Sequence, residues 1–123
     1  MIQAQTIVKI ADNTGAKIGR VFKVPGGSKR RYARIGDKVI LSVQVAEPRK
    51  AVKKKEVLQA VVVRQTQPFR RTDGSYLRFD ENAVVILEKD KMEPRGGRVF
   101  GPIPRELAER GYQKIASLAP EIV

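Results

Sequence analysis

The chain has 123 residues, with 25 Lys/Arg against 13 Asp/Glu, a net charge of +12, and neither cysteine nor histidine. Disulfides, thiolate metal sites and cysteine nucleophiles are excluded, and so are the commonest general base and the commonest zinc ligand, which leaves a low prior for an enzyme. This length fits one domain, and 41% apolar residues supply one core rather than two. No apolar run approaches the roughly 20 residues of a membrane span. Residues 1–6 lack the basic-then-apolar order of a secretory signal. The expected address is the cytoplasm, or the interior of an organelle that makes the protein itself, and no membrane contact is expected.

The charge is unevenly spread. Residues 1–55 hold 14 Lys/Arg and 3 Asp/Glu, whereas residues 56–123 hold 11 and 10. Clustered cations gain affinity for a polyanion by releasing the counterions condensed on its phosphates, so nucleic acid is the first partner to consider.

In chain order, Thr6–Ile10 is a short β-branched strand, and Asp12-Asn13-Thr14-Gly15 is a turn. Ile18–Val24 is a second strand, with Ile18, Phe22 and Val24 on one parity, ended by Pro25-Gly26-Gly27. Lys38–Ala46 alternates, with Val39, Leu41, Val43 and Val45 on one face, and Pro48 stops it. Val57–Val63 is apolar on both parities apart from Gln59, which predicts a strand buried on both faces. Tyr76–Phe79 and Ala83–Leu87 follow, and Thr72-Asp73-Gly74-Ser75 is a hairpin turn. Beyond the loop at residues 93–97, Pro104 and Gly111 bracket a short helix over Arg105–Arg110. A second helix is expected over Tyr112–Leu118, before Pro120. Five or six short strands separated by Gly/Pro turns predict a mostly β fold, a small closed barrel over about residues 1–92, with a loop and short helices over about 93–123.

Three basic loops carry the candidate chemistry. The first holds Lys29, Arg30, Arg31, Tyr32 and Arg34 after a glycine pair. Glycines admit a phosphate backbone, the cations neutralise it, and Tyr32 offers a ring for stacking. The bland alternative is a turn with solvated charges and a core tyrosine. The second holds Arg49, Lys50, Lys53, Lys54 and Lys55, five cations in seven residues. Phosphate contact is favoured over a solvated charge run. The third, Arg70-Arg71 beside Asp73-Gly74, is either an RNA-reaching hairpin or an edge protected by charge.

Other motifs carry less. Gly27-Ser28-Lys29 lacks the glycine frame and following helix of a nucleotide-binding loop. Asp12 and Asp80-Glu81 fit turns better than a metal or acid/base site, and no cofactor is called for. Arg95, Arg98, Arg105, Arg110 and Lys114 lie among Glu93, Glu106 and Glu109, a mixed-sign surface that is either suited to protein contact or simply a solvated helix. An oligonucleotide-binding barrel would need a platform of exposed rings. The seven aromatics sit mostly at positions expected to face the core.

Taken together, Ala60–Arg64, Arg71–Ser75, Arg78-Phe79-Asp80, Asn82-Ala83, Ala11–Ala16, Arg31-Tyr32-Ala33, Gly36-Asp37, Arg98–Pro102, Arg105-Glu106-Leu107 and Ser117–Glu121 resemble, in order, the signature of the bacterial-type family of large-subunit ribosomal protein fourteen. The resemblance spans essentially the whole chain. It implies a five-stranded β-barrel with a projecting β-ribbon and a small helical C-terminal region. It also implies binding to large-subunit (23S-type) rRNA and a place at the subunit interface. The implied neighbours are ribosomal proteins three and nineteen, small-subunit rRNA through intersubunit bridges, and a ribosome-silencing factor on the C-terminal face. Gly97, Arg98, Arg105 and Lys114 are the implied partner-contacting residues. Relatives often carry Thr at the position of Gly97 and Gly at that of Lys50. The two halves of the chain are then expected to be two faces of one domain, one toward rRNA and one toward other proteins.

Overall fold

The computed structural model describes residues 2–26, 31–50, 52–89 and 91–123. Five strands, β1 (Ile7–Ile10), β2 (Ala16–Lys23), β3 (Lys38–Ala46), β4 (Val57–Arg64) and β7 (Ala83–Ile86), close into a barrel in the order β1-β2-β3-β4-β7. Neighbours are antiparallel except at the seam, where β1 and β7 run parallel through only Lys9↔Ala83 and Ile10↔Val84. A short hairpin, β5 (Phe69–Arg70) and β6 (Tyr76–Leu77), stands outside the barrel as a two-stranded ribbon. Phe79, expected to continue β6, lies beyond its end.

The C-terminal region holds α1 (Glu106–Glu109) and α2 (Gln113–Leu118), close to the predicted spans. The two-residue strands β8 (Pro102–Ile103) and β9 (Glu121–Ile122) pair in parallel around the helices. No periodicity announces strands this short. No helix among the described residues is long and apolar enough to cross a membrane.

The core is aliphatic. Val39, Leu41 and Val43 point inward from β3 as their alternation predicts. Ala60–Val63 and Ala83–Ile86 are fully buried on both parities, but Val57, expected to be buried with them, is 58% exposed and Leu58 half-buried; Leu107, Tyr112 and Ile115 of the C-terminal segment join the same core. β2 departs from the expected pattern. Ile18 and Phe22 are 37% and 43% exposed, and Gly19 and Val21 face inward instead. Register shifts along β2–β3 break the period of two. At Gly19 a side chain would come within 2.9 Å of Leu41 Cδ1, so Leu41 fills the space that Gly19 leaves empty. Val45, beyond the bulge, is exposed as well.

The aromatic residues also correct the sequence expectation. Phe22, Tyr32, Tyr76 and Phe100 are exposed, Phe69 and Phe79 are half-buried, and Tyr112 alone is fully buried. The interior of this barrel is filled by aliphatic side chains, chiefly Val, Leu and Ile.

The turn after β1 ties the barrel together. Asp12 is buried, and its Oδ1 accepts from Thr14 N–H (3.2 Å) and Thr14 Oγ1–H (2.6 Å). Its Oδ2 accepts from Ile86 N–H at 2.9 Å, extending the short parallel seam by one more bond. Burial pushes the Asp12 carboxyl above its ordinary value of 3.8, outweighing three hydrogen bonds that act in the opposite direction.

Removing these acceptors by Asp12→Ala is expected to cost about 2–3 kcal/mol of stability in urea unfolding. Because the folded pKa is raised, the favourable contribution of Asp12 titration is complete below the ordinary 3.8 and is lost as pH rises through the raised value. The stability advantage of the wild type over Asp12→Asn should therefore shrink with rising pH in that window; a widening advantage contradicts the assignment.

Candidate nucleic-acid interface

In the first basic loop, buried residues alternate with exposed ones. Ala33 is buried and exchanges two backbone hydrogen bonds with Ile2 (3.1 and 2.6 Å). Ile35 is buried, and its N–H donates to Gln65 Oε1 at 3.1 Å. The residues between and before these anchors, Arg31, Tyr32 and Arg34, are exposed. Tyr32 is thus a surface ring, not a core one. Lys29 and Arg30 lie outside the described residues.

The second loop is built around Val52, which is fully buried although it lies among lysines. Val52 N–H donates to Thr14 O, Glu47 N–H to Gly15 O, Lys53 N–H to Glu56 Oε2 and Lys55 N–H to Val43 O. These bonds hold Arg49 and Lys55 at φ of 65° and 69°, a left-handed conformation that costs a non-glycine residue about 1 kcal/mol or more. Arg49, Lys50, Lys53, Lys54 and Lys55 are all exposed, and among the described residues none has an ion-pair partner. Buried Val52 and the fixed backbone make this a shaped loop that presents cations.

The hairpin separates its two arginines. Arg70 is exposed. Arg71 folds back onto the C-terminal segment, with Nε 3.0 Å from Glu106 Oε1 and Nη2–H donating to Val123 O at 2.6 Å, which leaves its side chain 11% exposed. At the tip, the Ser75 hydroxyl and N–H donate to Asp73 and hold its carboxyl below the usual range.

The charges are not arranged as two faces. The first loop leads into β3 and the second leaves it, so the nine residues of β3 separate them by roughly 30 Å. β4 runs antiparallel to β3 and delivers the hairpin to the first loop's end. There Arg34 and Arg70 line one cleft of about 470 Å³, together with Phe69 and Arg110. Gly97 and Arg98 lie at the opposite end, where both N–H groups donate to Asn13 Oδ1 (3.0 and 3.2 Å) beside Lys50. A Cβ at Gly97 would meet nothing within 4 Å, so a threonine fits there without strain. Arg105 is exposed ahead of α1. Lys114 on α2 is exposed and 3.9 Å from Glu93.

Other charged residues have roles that their sequence context does not show, Arg110 among them, which that context places only on a mixed-sign surface. Arg64 is buried and donates to Phe100 O (2.8 Å), Pro102 O (3.1 Å) and Glu81 Oε1 (3.1 Å). Burial lowers its pKa while Glu81 opposes the shift. Its position directly after four buried apolar residues was the available signal. Arg110 donates to Ile35 O and pairs with Asp37, tying the helices to the first loop. Arg20 and Lys23 extend the cationic surface along the outer wall of β2.

Arg71→Ala is expected to lower unfolding free energy by about 1–3 kcal/mol, because it leaves Glu106 without its partner and Val123 O with only the 3.5 Å bond from Arg105 N–H. Arg70→Ala should leave stability unchanged and reduce the salt dependence of RNA binding by about one phosphate contact. Paired denaturation and binding titrations on both variants check this; equal stability losses contradict it.

The family model described as ribosomal protein L14p/L23e matches residues 1–123, the entire chain, and the protein belongs to that family.

Proposed function

We propose that this protein is a non-catalytic structural constituent of the large ribosomal subunit, with cationic loops at both ends of its barrel seated on folded rRNA. Family membership supports the coarse role. The observation that carries the finer reading is the second loop, where five exposed cations without an ion pair among the described residues ride on a backbone fixed by Val52 and Thr14. Elsewhere, acids are committed to internal ties: Glu106 to Arg71, Asp37 to Arg110, Glu56 to Arg95 and Glu81 to Arg64. The uncompensated charge is therefore left on the loops. Contacts from loop cations to phosphates position a protein on RNA, and recognition then follows the shape of the RNA fold.

The C-terminal region supplies the contacts to other components. Gly97 and Arg98, fixed by Asn13, together with Arg105 and Lys114, are the proposed contacts to ribosomal proteins three and nineteen, to small-subunit rRNA across the interface, and to a ribosome-silencing factor. Their exposure and mixed charge surroundings support this assignment.

Binding to large-subunit rRNA fragments is expected to weaken steeply with salt. Lys53→Glu with Lys54→Glu should flatten the log–log slope by about two contacts or more. Reversing Arg105 should change it little. A slope near zero for the wild type, or equal losses from both sets of reversals, contradicts the proposal.

A further inference from the structure

Phe100 is an exposed ring on a rigid backbone, 48% accessible. Its N–H donates to Ala11 O at 2.7 Å, and its carbonyl accepts from the buried Arg64 at 2.8 Å. The ring lines two clefts. One, of about 510 Å³, is also lined by Arg64, Arg78, Phe79 and Pro102. The other, of about 400 Å³, is shared with Asn13, Lys17 and Lys50. Both lie in the roughly 300–1,000 Å³ range of small-ligand sites. The Arg98 guanidinium sits 5.8 Å from the ring centroid.

An isolated exposed phenylalanine needs no explanation. This one has three features that point to a ligand. It is held between two clefts, a second ring (Phe79) lines the larger one, and cations stand beyond both. Arg78 and Lys50 have no ion pair among the described residues, whereas Glu81 and Glu47 are engaged by Arg64, Lys9 and Lys17.

We infer that Phe100 is the stacking platform for one unpaired rRNA base. The base enters the larger cleft beside Phe79, and the flanking phosphates meet Arg78 on one side and Lys50 on the other. A base suits the site better than a protein side chain. Every base offers a planar face, and the phosphates on either side of it match the cations that flank the ring. This inference rests on the rRNA-binding function proposed above and assigns it a site outside the three basic loops.

The chain has no tryptophan, so Phe100→Trp places a single indole at the site. Protein-free large-subunit rRNA should quench its fluorescence and shield it from acrylamide. Polyphosphate, which offers charge without bases, should bind the loops and leave the emission unchanged. Phe100→Ala should bind rRNA about tenfold more weakly, with the salt slope of the wild type retained, and should melt at the wild-type temperature because the ring is exposed. Unquenched emission in an rRNA complex, equal quenching by polyphosphate, or unchanged affinity of Phe100→Ala overturns the inference and leaves the loop contacts standing. So does a cross-link from position 100 to protein alone in assembled subunits. Failure of the wild type to bind rRNA at all takes down both.

Discussion

The barrel closes through its weakest pairing, and the buried carboxylate of Asp12 reinforces that closure. β1 and β7 share only two residue pairs in the slanted parallel arrangement. Asp12 adds a bond to Ile86, and the backbone around it adds Ala11 N–H to Val84 O and Lys9 N–H to Asn82 O. The next three residues each hold a distant segment: Asn13 the loop at 97–98, Thr14 the backbone of Val52, and Gly15 that of Glu47. The space at Gly15 is filled by Lys50, whose Cβ a side chain there would overlap, and its φ of 101° favours glycine. One turn therefore closes the barrel and fixes both a basic loop and a proposed partner loop.

The net charge gains its meaning from how acids and bases are paired. In the C-terminal part of the chain, arginines serve as struts: Arg64, Arg71 and Arg110 each bridge backbone carbonyls and a carboxylate. They secure a segment whose helices, of four and six residues, are too short to be stable alone. In the first 55 residues there are too few acids for such pairing. The excess cations remain on loops whose backbones are pinned by buried aliphatics, Ala33, Ile35 and Val52. A preorganised loop loses less conformational entropy on binding, which is how a small barrel can hold a place on a large RNA.

The alternation of Val39, Leu41, Val43 and Val45 and the double-sided run at 57–63 made the barrel legible, although Val45 and Val57 at the ends of these runs are exposed; the Pro104 and Gly111 bracket did the same for the first helix. Whole-chain resemblance added the ribbon and the family. β2 was misread because Gly19 yields its inward space to Leu41 and bulges shift the register, neither of which is written in local periodicity. Arg70 and Arg71 are adjacent letters with opposite fates, since only the folded chain brings Glu106 and Val123 to one of them. The division at residue 55 was real in composition but not in space, because β3 carries the two early basic loops to opposite ends. The exposure of Phe100 follows from the Ala11 and Arg64 bonds that hold its backbone in place, contacts that local sequence does not show.

The most direct test of cations left free for rRNA is lysine acetylation, compared between isolated protein and assembled large subunits. Lys50, Lys53, Lys54 and Lys55 should react readily in the isolated protein and become protected in the subunit. Lys114 should stay reactive until the small subunit or another partner joins. Equal reactivity of the four loop lysines in both states would contradict the account.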